Sequence, residues 1–191
     1  MEWKTTQWQN WLVQNHITLP SDVYPVVNVE GPDCGGKTSV LNILLDVIKH
    51  SFFLHTSAPT KGSSPEYYEK ILYKGIELID LLRQPILIDR YHIGEAVYGS
   101  LFRGHKADFS VLESELAKRR MKNVYVTASS RVLIERMEKR GDWYIKTHDL
   151  ERITSRYEEE LQKSILPTYV LDTTNNITQE DVRKLLQFIY S

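Results

Sequence analysis

The run Gly31-Pro32-Asp33-Cys34-Gly35-Gly36-Lys37-Thr38 matches G-x-x-x-x-G-K-[ST], a spacing suited to holding phosphate groups. Each residue type in it answers a need of a polyanion. Gly31, Gly35 and Gly36 permit positive φ angles and let N–H groups approach phosphate oxygens with no Cβ in the way. Lys37 brings a point charge to β and γ phosphates, and the Thr38 hydroxyl can ligate Mg²⁺. A helix opening near Lys37, with Ser39 in its first turn, adds the positive end of its dipole. A plain glycine-rich turn would leave Lys37 and Thr38 unexplained. Cys34, close to a helix start, reads as a small filler with a thiol that the helix dipole would acidify.

A second group of chemically apt residues is Asp89-Arg90-Tyr91, which ends the apolar run Pro85-Ile86-Leu87-Ile88. The carboxyl ends of strands in a parallel sheet face the ligand crevice, so Asp89 and Arg90 should arrive beside the glycine-rich loop. There an acid can hold Mg²⁺ through water and an arginine can grip a phosphate with two parallel hydrogen bonds. The competing reading makes Asp89 a helix cap and Arg90 a surface ion-pair partner. Arg136 and Arg140 lie four apart on one expected helix, hence on one face, the second just before Gly141. On spacing alone they suit a solvated helix face, in weak surface pairs with Glu135, Glu138 and Lys139.

These groups need a scaffold, and hydrophobic periodicity supplies one. Short apolar runs at Pro25 to Glu30, Phe52 to Thr56, Ile86 to Asp89, Asn123 to Thr127 and Tyr169 to Leu171 alternate with helix-period segments. The expected architecture is α/β: a three-layer sandwich around a five-stranded parallel sheet, each strand too continuously apolar to be half-exposed. Val40, Leu41, Leu44, Val47 and Ile48 make the stripe of the helix after the first strand. Ser64-Pro65-Glu66 should open another helix, Ser129 or Ser130 should cap the one carrying Arg136, and Thr178 with Asp181 should cap the last. An Asp in place of the usual Glu or Gln weakens that final capping box. Residues 1–20 form an N-terminal helical extension whose Trp8, Trp11 and Leu12 pack on the domain, with a dimer contact as the alternative use.

With 191 residues, 41% of them hydrophobic and 10% aromatic, the chain can fill one core as a single domain, which excludes disorder and low complexity. Lys plus Arg number 24 against 25 Asp plus Glu, a net charge of -1 that gives no global pull toward nucleic acid or anionic lipid. Any anion site must be local. Lys118-Arg119-Arg120-Met121-Lys122 reads as a solvated helix end rather than a nucleic-acid contact. One cysteine forbids an internal disulfide and suits a reducing, cytoplasmic setting. No apolar run approaches the ~18 residues of a membrane span, the start Met1-Glu2-Trp3-Lys4 lacks signal-peptide character, and the six histidines show no zinc spacing.

Taken together, the motifs resemble the thymidylate kinase group of P-loop nucleotide kinases. Val29-Glu30-Gly31-Pro32-Asp33 with Gly36-Lys37-Thr38 is similar to that group's strand and phosphate loop. Asp89-Arg90-Tyr91, Tyr98 and Arg103-Gly104 resemble its Asp-Arg-Tyr segment, and Leu133 to Asp142 resembles the helix entering a short lid at about residues 140–149. The resemblance implies transfer of the ATP γ-phosphoryl group to a deoxynucleoside monophosphate, dTMP or a related pyrimidine, by a magnesium-dependent homodimer. ATP would lie on Gly31, Asp33, Cys34, Gly35, Gly36, Lys37, Thr38 and Ser39. Asp33, Arg90, Tyr91, Tyr98 and Arg103 would hold the acceptor, Thr38 and Asp89 the metal, and Lys37, Asp89, Arg90, Arg136 and Arg140 the transferring charge.

The chain departs from that group in having no arginine before Arg83. The group uses arginines after its second strand to recognise the monophosphate, and Lys61, Lys70 or Lys74 could replace them only as point charges. A deoxynucleoside kinase is therefore the rival, although such enzymes place a carboxylate base after the second strand and none stands between Phe52 and Pro65. A kinase of a hydroxyl on nucleic acid or a modified base, and a non-enzymatic nucleotide switch, complete the alternatives. The switch lacks an Asn-Lys-x-Asp base-reading motif. Tyr67, Tyr68 and Tyr73 could stack on an acceptor base, but their helical spacing also suits a core.

Overall fold

The computed structural model describes residues 7–57, 64–141 and 146–191. In chain order the elements are α1 (Gln7–Gln14), β1 (Val26–Glu30), α2 (Lys37–Val47), β2 (Phe52–His55), α3 (Pro65–Leu81), β3 (Ile86–Asp89), α4 (His92–Phe102), α5 (Ser110–Lys118), β4 (Lys122–Thr127), α6 (Ser130–Arg140), α7 (Thr147–Lys163), β5 (Thr168–Asp172) and α8 (Gln179–Tyr190). Five parallel strands lie in the order β2-β3-β1-β4-β5.

Burial on both faces explains the continuous apolar strands. Val27 and Val29 of β1, with Leu87, Val124 and Leu171, pack against α1, α2 and α8. Val26, Ile86 and Ile88 face the other way, under Leu72 and Ile76 of α3 and Leu112 and Leu116 of α5. A third cluster gathers α4, α6 and α7 around Tyr157 and Tyr125. The three-layer α/β sandwich is thus present. The edge strands differ from expectation: β2 alternates half-buried and exposed residues, and Val170 of β5 is 59% exposed. Each has a neighbour on one side only, so its outward side chains lose cover.

Strand limits shift by a residue or two from those read in the sequence. Pro25 has no N–H for the ladder, yet its carbonyl accepts from Ile86 N, and Thr56 N still donates to Asp89 O just past β2. α1 does pack on the domain, with Trp11 and Leu12 buried, Trp8 edge-on to Trp11, and Gln9 Nε2 donating to Asp46 O. The rest of the N-terminal extension's start, residues 1–6, lies outside the described residues. No helix among the described residues is long and apolar enough to cross a membrane.

The caps bear on the site because they fix where helices begin. Ser64 Oγ accepts from Tyr67 N at 3.2 Å, as expected. At α8 the box closes even with an aspartate: Thr178 Oγ1 accepts from Asp181 N, and Asp181 Oδ2 accepts from Thr178 N at 2.9 Å. The Ser129 side chain, by contrast, makes no cap bond; its N–H donates to Thr174 Oγ1, tying the start of α6 to the segment after β5. The lid region falls partly outside the described residues. Arg140 ends α6, residues 142–145 are not described, and Thr147 to Asp149 form the first turn of α7.

Candidate active site

Glu30 ends β1, and the loop that follows wraps back so that α2 begins at Lys37 beneath it. Gly31 has φ 142° and a Cβ there would run into Val126 O, so only glycine fits. Gly36, at φ 94°, occupies the N-cap of α2, where a Cβ would lie 3.0 Å from Thr173 Oγ1. The resulting cavity, about 920 Å³, is lined by Asp33, Cys34, Gly36, Lys37, Thr38, Ser39, Asp89, Arg90, Arg136 and Arg140 among the residues singled out in the sequence. Gly31 and Gly35 support the loop and do not line it.

Lys37 is buried, and its Nζ donates to Gly31 O at 2.8 Å and to Pro32 O at 2.7 Å. Burial and the nearby Arg90 lower its pKa to about 8, against the opposing pull of Asp33, Asp89 and Glu30. Across the cavity Arg90 pairs with Asp33 through Nη2 and Oδ1 and lies over the Tyr98 ring, 5.9 Å from its centre. Tyr98 OH donates to the second Asp33 oxygen at 3.2 Å. Although burial disfavours its charge, Asp33, with Tyr157, Tyr98 and Glu30, holds the Arg90 pKa above its ordinary value. Burial, followed by the Asp33 carboxylate, raises the Tyr98 phenol, so it stays a neutral donor.

Three residues assigned to the acceptor do not line the cavity: Tyr98 meets it only through Asp33 and Arg90, and two others lie elsewhere. Tyr91 is 1% exposed, its ring packed in the α3 layer and its hydroxyl donating to Leu72 O. This corrects the expectation that its side chain meets an acceptor: the aromatic ring following Arg90 points into the core. Arg103 stands at the end of α4 with Nη2 2.5 Å from Glu95 Oε2, and it does not line the cavity. Arg136 lines the cavity with its donors engaged. Nη1 donates to Cys34 O and Thr173 Oγ1, and Nη2 to Thr173 O at 2.6 Å, so it fastens the glycine-rich loop to the chain leaving β5. Of the three tyrosines on α3, Tyr68 is core, with its hydroxyl donating to Ser57 O, while Tyr67 and Tyr73 are exposed.

Several lining residues were missed: Ile43, His55, Thr173, Asn175, Asn176 and Ile177. His55 ends β2 opposite Asp89 in register, and its Nδ1 lies 3.0 Å from Asp89 Oδ2. The strand-end position that marks Asp89 on β3 also marks His55 on β2 and Thr173 to Ile177 after β5. Asp89 Oδ1 is buried with no hydrogen-bond partner. An orphaned carboxylate oxygen and the exposed Thr38 side of the same cavity suit a magnesium ion held by oxygen ligands and water.

No family model matches the chain. Over 157 residues it is 31% identical to the SPbeta prophage-derived uncharacterized protein YorR of Bacillus subtilis (strain 168), a match spanning 78% of this chain and 88% of that protein. The chain belongs to the YorR family. The crystal structure of B. subtilis YorR in complex with phosphorylated GDP superposes with a TM-score of 0.67 at 27% identity, over 85% of this chain and 94% of the other. The YorR-family fold is also that of a putative polyphosphate kinase 2 from Pseudomonas aeruginosa PA01, with TM-score 0.64, 16% identity, and 86% of this chain against 41% of the kinase. It is shared by deoxyadenosine kinase from M. mycoides with bound dATP, with TM-score 0.53, 16% identity, and 87% and 100% coverage. The architecture of this YorR-family chain is therefore that of P-loop kinases.

Proposed function

We propose that the protein is a P-loop phosphotransferase that moves the γ-phosphoryl group of MgATP to a deoxynucleoside monophosphate, dTMP or a related pyrimidine, giving the diphosphate. The observation that carries this reading is the pairing, in one cavity, of a buried ammonium on a glycine-rich loop with a guanidinium held by Asp33 and Tyr98. Support comes also from the P-loop kinase fold and from YorR, whose crystal structure holds phosphorylated GDP.

In the proposed step an acceptor phosphate oxygen attacks the γ phosphorus while the bond from that phosphorus to the β–γ bridging oxygen breaks, and ADP leaves with the electron pair. An ionised phosphate needs no base to attack. Catalysis of such a loose transition state rests on placed positive charge, and Lys37 and Arg90 face it from the two sides. Arg136 and Arg140 add two further cations from α6. Thr38 and Asp89 would hold Mg²⁺, which neutralises charge on the phosphate oxygens. Ile43 and Ile177 bring apolar surface, and Asn175 and Asn176 amide groups, suited to the donor base.

A second reading, a nucleoside as acceptor, is favoured by one contact. A neutral hydroxyl must lose a proton, and the His55 to Asp89 hydrogen bond stands at the end of β2 where a base would serve. An acceptor screen with γ-labelled ATP separates the two. Nucleosides, deoxynucleoside monophosphates, guanine nucleotides including GDP, and short oligonucleotides are each offered with magnesium. The proposal expects label in a deoxynucleoside diphosphate; label in a nucleoside monophosphate would establish the second reading, and no labelled acceptor would overturn both.

A further inference from the structure

α4 opens without a cap of its own: the Tyr91 side chain makes no cap bond. The missing acceptor comes from another strand. Glu30, fully buried at the end of β1, has its Oε1 2.7 Å from Tyr91 N and 3.2 Å from Gly94 N, the N-cap and third helical positions of α4. Those are the two places that a capping box serves locally. Asn28 Nδ2 donates to the same oxygen at 3.2 Å, and Tyr157 OH donates to Oε2 at 3.4 Å. The carboxylate is thus held from several sides.

Between β3 and that helix start lies Arg90, at φ 66°. A non-glycine residue in the left-handed region is strained and persists only where its surroundings impose it. Here the surroundings are on both flanks: Arg90 N donates to Val29 O, and the next N–H, that of Tyr91, donates to Glu30. β1 therefore grips the turn at successive amides, and the turn sends the guanidinium to Asp33 and Tyr98. Glu30 also directly precedes Gly31, the first residue of the phosphate loop.

We infer that Glu30 is a positioning residue: its buried carboxylate caps α4 from β1, sets the left-handed turn at Arg90, and so fixes the acceptor-side guanidinium relative to the phosphate loop. It touches neither substrate nor reacting atoms. The inference rests on the phosphoryl-transfer reading, and it requires the acceptor side to be more sensitive to Glu30 than the donor side.

The experiment is steady-state kinetics on the full chain with dTMP as the acceptor, alongside calorimetric titration of MgATP. Glu30→Ala is expected to raise the acceptor KM about tenfold or more while changing the MgATP Kd less than about threefold. Glu30→Gln keeps an acceptor oxygen for the two amides and offers its NH₂ to Tyr157, so it should recover most of that loss. The double variant Glu30→Ala with Arg90→Ala should bind acceptor no worse than Arg90→Ala alone, because two parts of one device do not add. Should Glu30→Ala fail to fold, Gly94→Ala is the second probe. Its Cβ would lie 3.0 Å from Glu30 Oε2, so the carboxylate must give by a few tenths of an ångström, and a smaller rise in acceptor KM with the same selectivity over MgATP is expected. Additive losses, or donor and acceptor weakened alike in the soluble variants, would overturn the assignment. A wild-type protein that labels no acceptor would instead overturn the kinase reading itself.

Discussion

Lys37 is buried and donates two hydrogen bonds to carbonyls of its own loop, and the phosphates of a bound nucleotide would offer it anionic oxygens instead. Lys37→Ala should lower turnover by about 10² to 10³, the size typical of a lost charge contact at a developing oxyanion, with the circular dichroism spectrum unchanged. Near-normal turnover would remove it from the chemistry. Arg90→Ala should raise KM for a monophosphate acceptor by at least about tenfold and affect a nucleoside acceptor much less. Equal losses in paired kinetic assays would contradict its phosphate role. The residues of this site that were legible in the sequence lie in local patterns: Gly31 to Thr38 and Asp89-Arg90 are contiguous, and Arg136 and Arg140 stand four apart on one helix. His55, Thr173 and Asn175 to Ile177 belong to no motif, and only their place at or after the carboxyl ends of β2 and β5 marks them. Tyr91 shows the opposite failure: adjacency to Arg90 suggested a ligand contact, and the left-handed turn sends successive side chains in different directions.

Elements hold these residues through a few buried polar ties. Glu113 of α5 accepts from His92 Nε2 at 2.9 Å, Ser164 Oγ at 2.5 Å and Ile165 N at 2.9 Å, joining α5 to the start of α4 and to the turn before β5. Burial pushes its carboxyl pKa up, but these hydrogen bonds outweigh burial and leave it lowered. A carboxylate whose native pKa is depressed stabilises the fold above the ordinary glutamate range, and that contribution disappears as pH falls through the native value. Glu113→Gln should therefore lose about 1–3 kcal/mol at pH 7 and show a flatter acid limb in urea midpoints measured from pH 7 down to pH 3. A variant as stable as wild type at pH 7, with the same acid limb, would refute this. Elements themselves were largely readable: buried strands announce themselves as apolar runs, and the α2 stripe and the Ser64 and Thr178 caps lie where their side chains dictate. What was not readable depends on neighbours. The half-exposed edges of β2 and β5 follow from sheet order, and the tie of Ser129 N to Thr174 from the path of the chain after β5.

For the molecule as a whole, the sheet order matters more than any one contact. β1 is central, flanked by β3 and β4, so the loop after β1 opens where chain direction across the sheet reverses, with Asp89 on one side and the segment after β5 on the other. A near-neutral chain thereby concentrates Lys37, Arg90, Arg136 and Arg140 at one crevice. α1 stands apart from this, packed on α2 through Trp11, over whose ring Arg183 lies at 6.0 Å. Trp11→Ala should cost about 3–5 kcal/mol of stability and leave substrate KM values unchanged, since the cavity it opens lies among α1, α2 and α8. A changed KM in thermally matched assays would show that α1 reaches the site. The claim beneath all of these is that the loop from Gly31 to Thr38 holds the phosphate tail of a nucleoside triphosphate. Calorimetric titration of ATP and GTP into the protein with magnesium present tests it most directly. Saturable heat is expected for a triphosphate, with much weaker binding of the matching monophosphate at the same loop and loss of the triphosphate signal in Lys37→Ala; no heat with either triphosphate, or equal binding by wild type and Lys37→Ala, would refute a phosphate-holding loop.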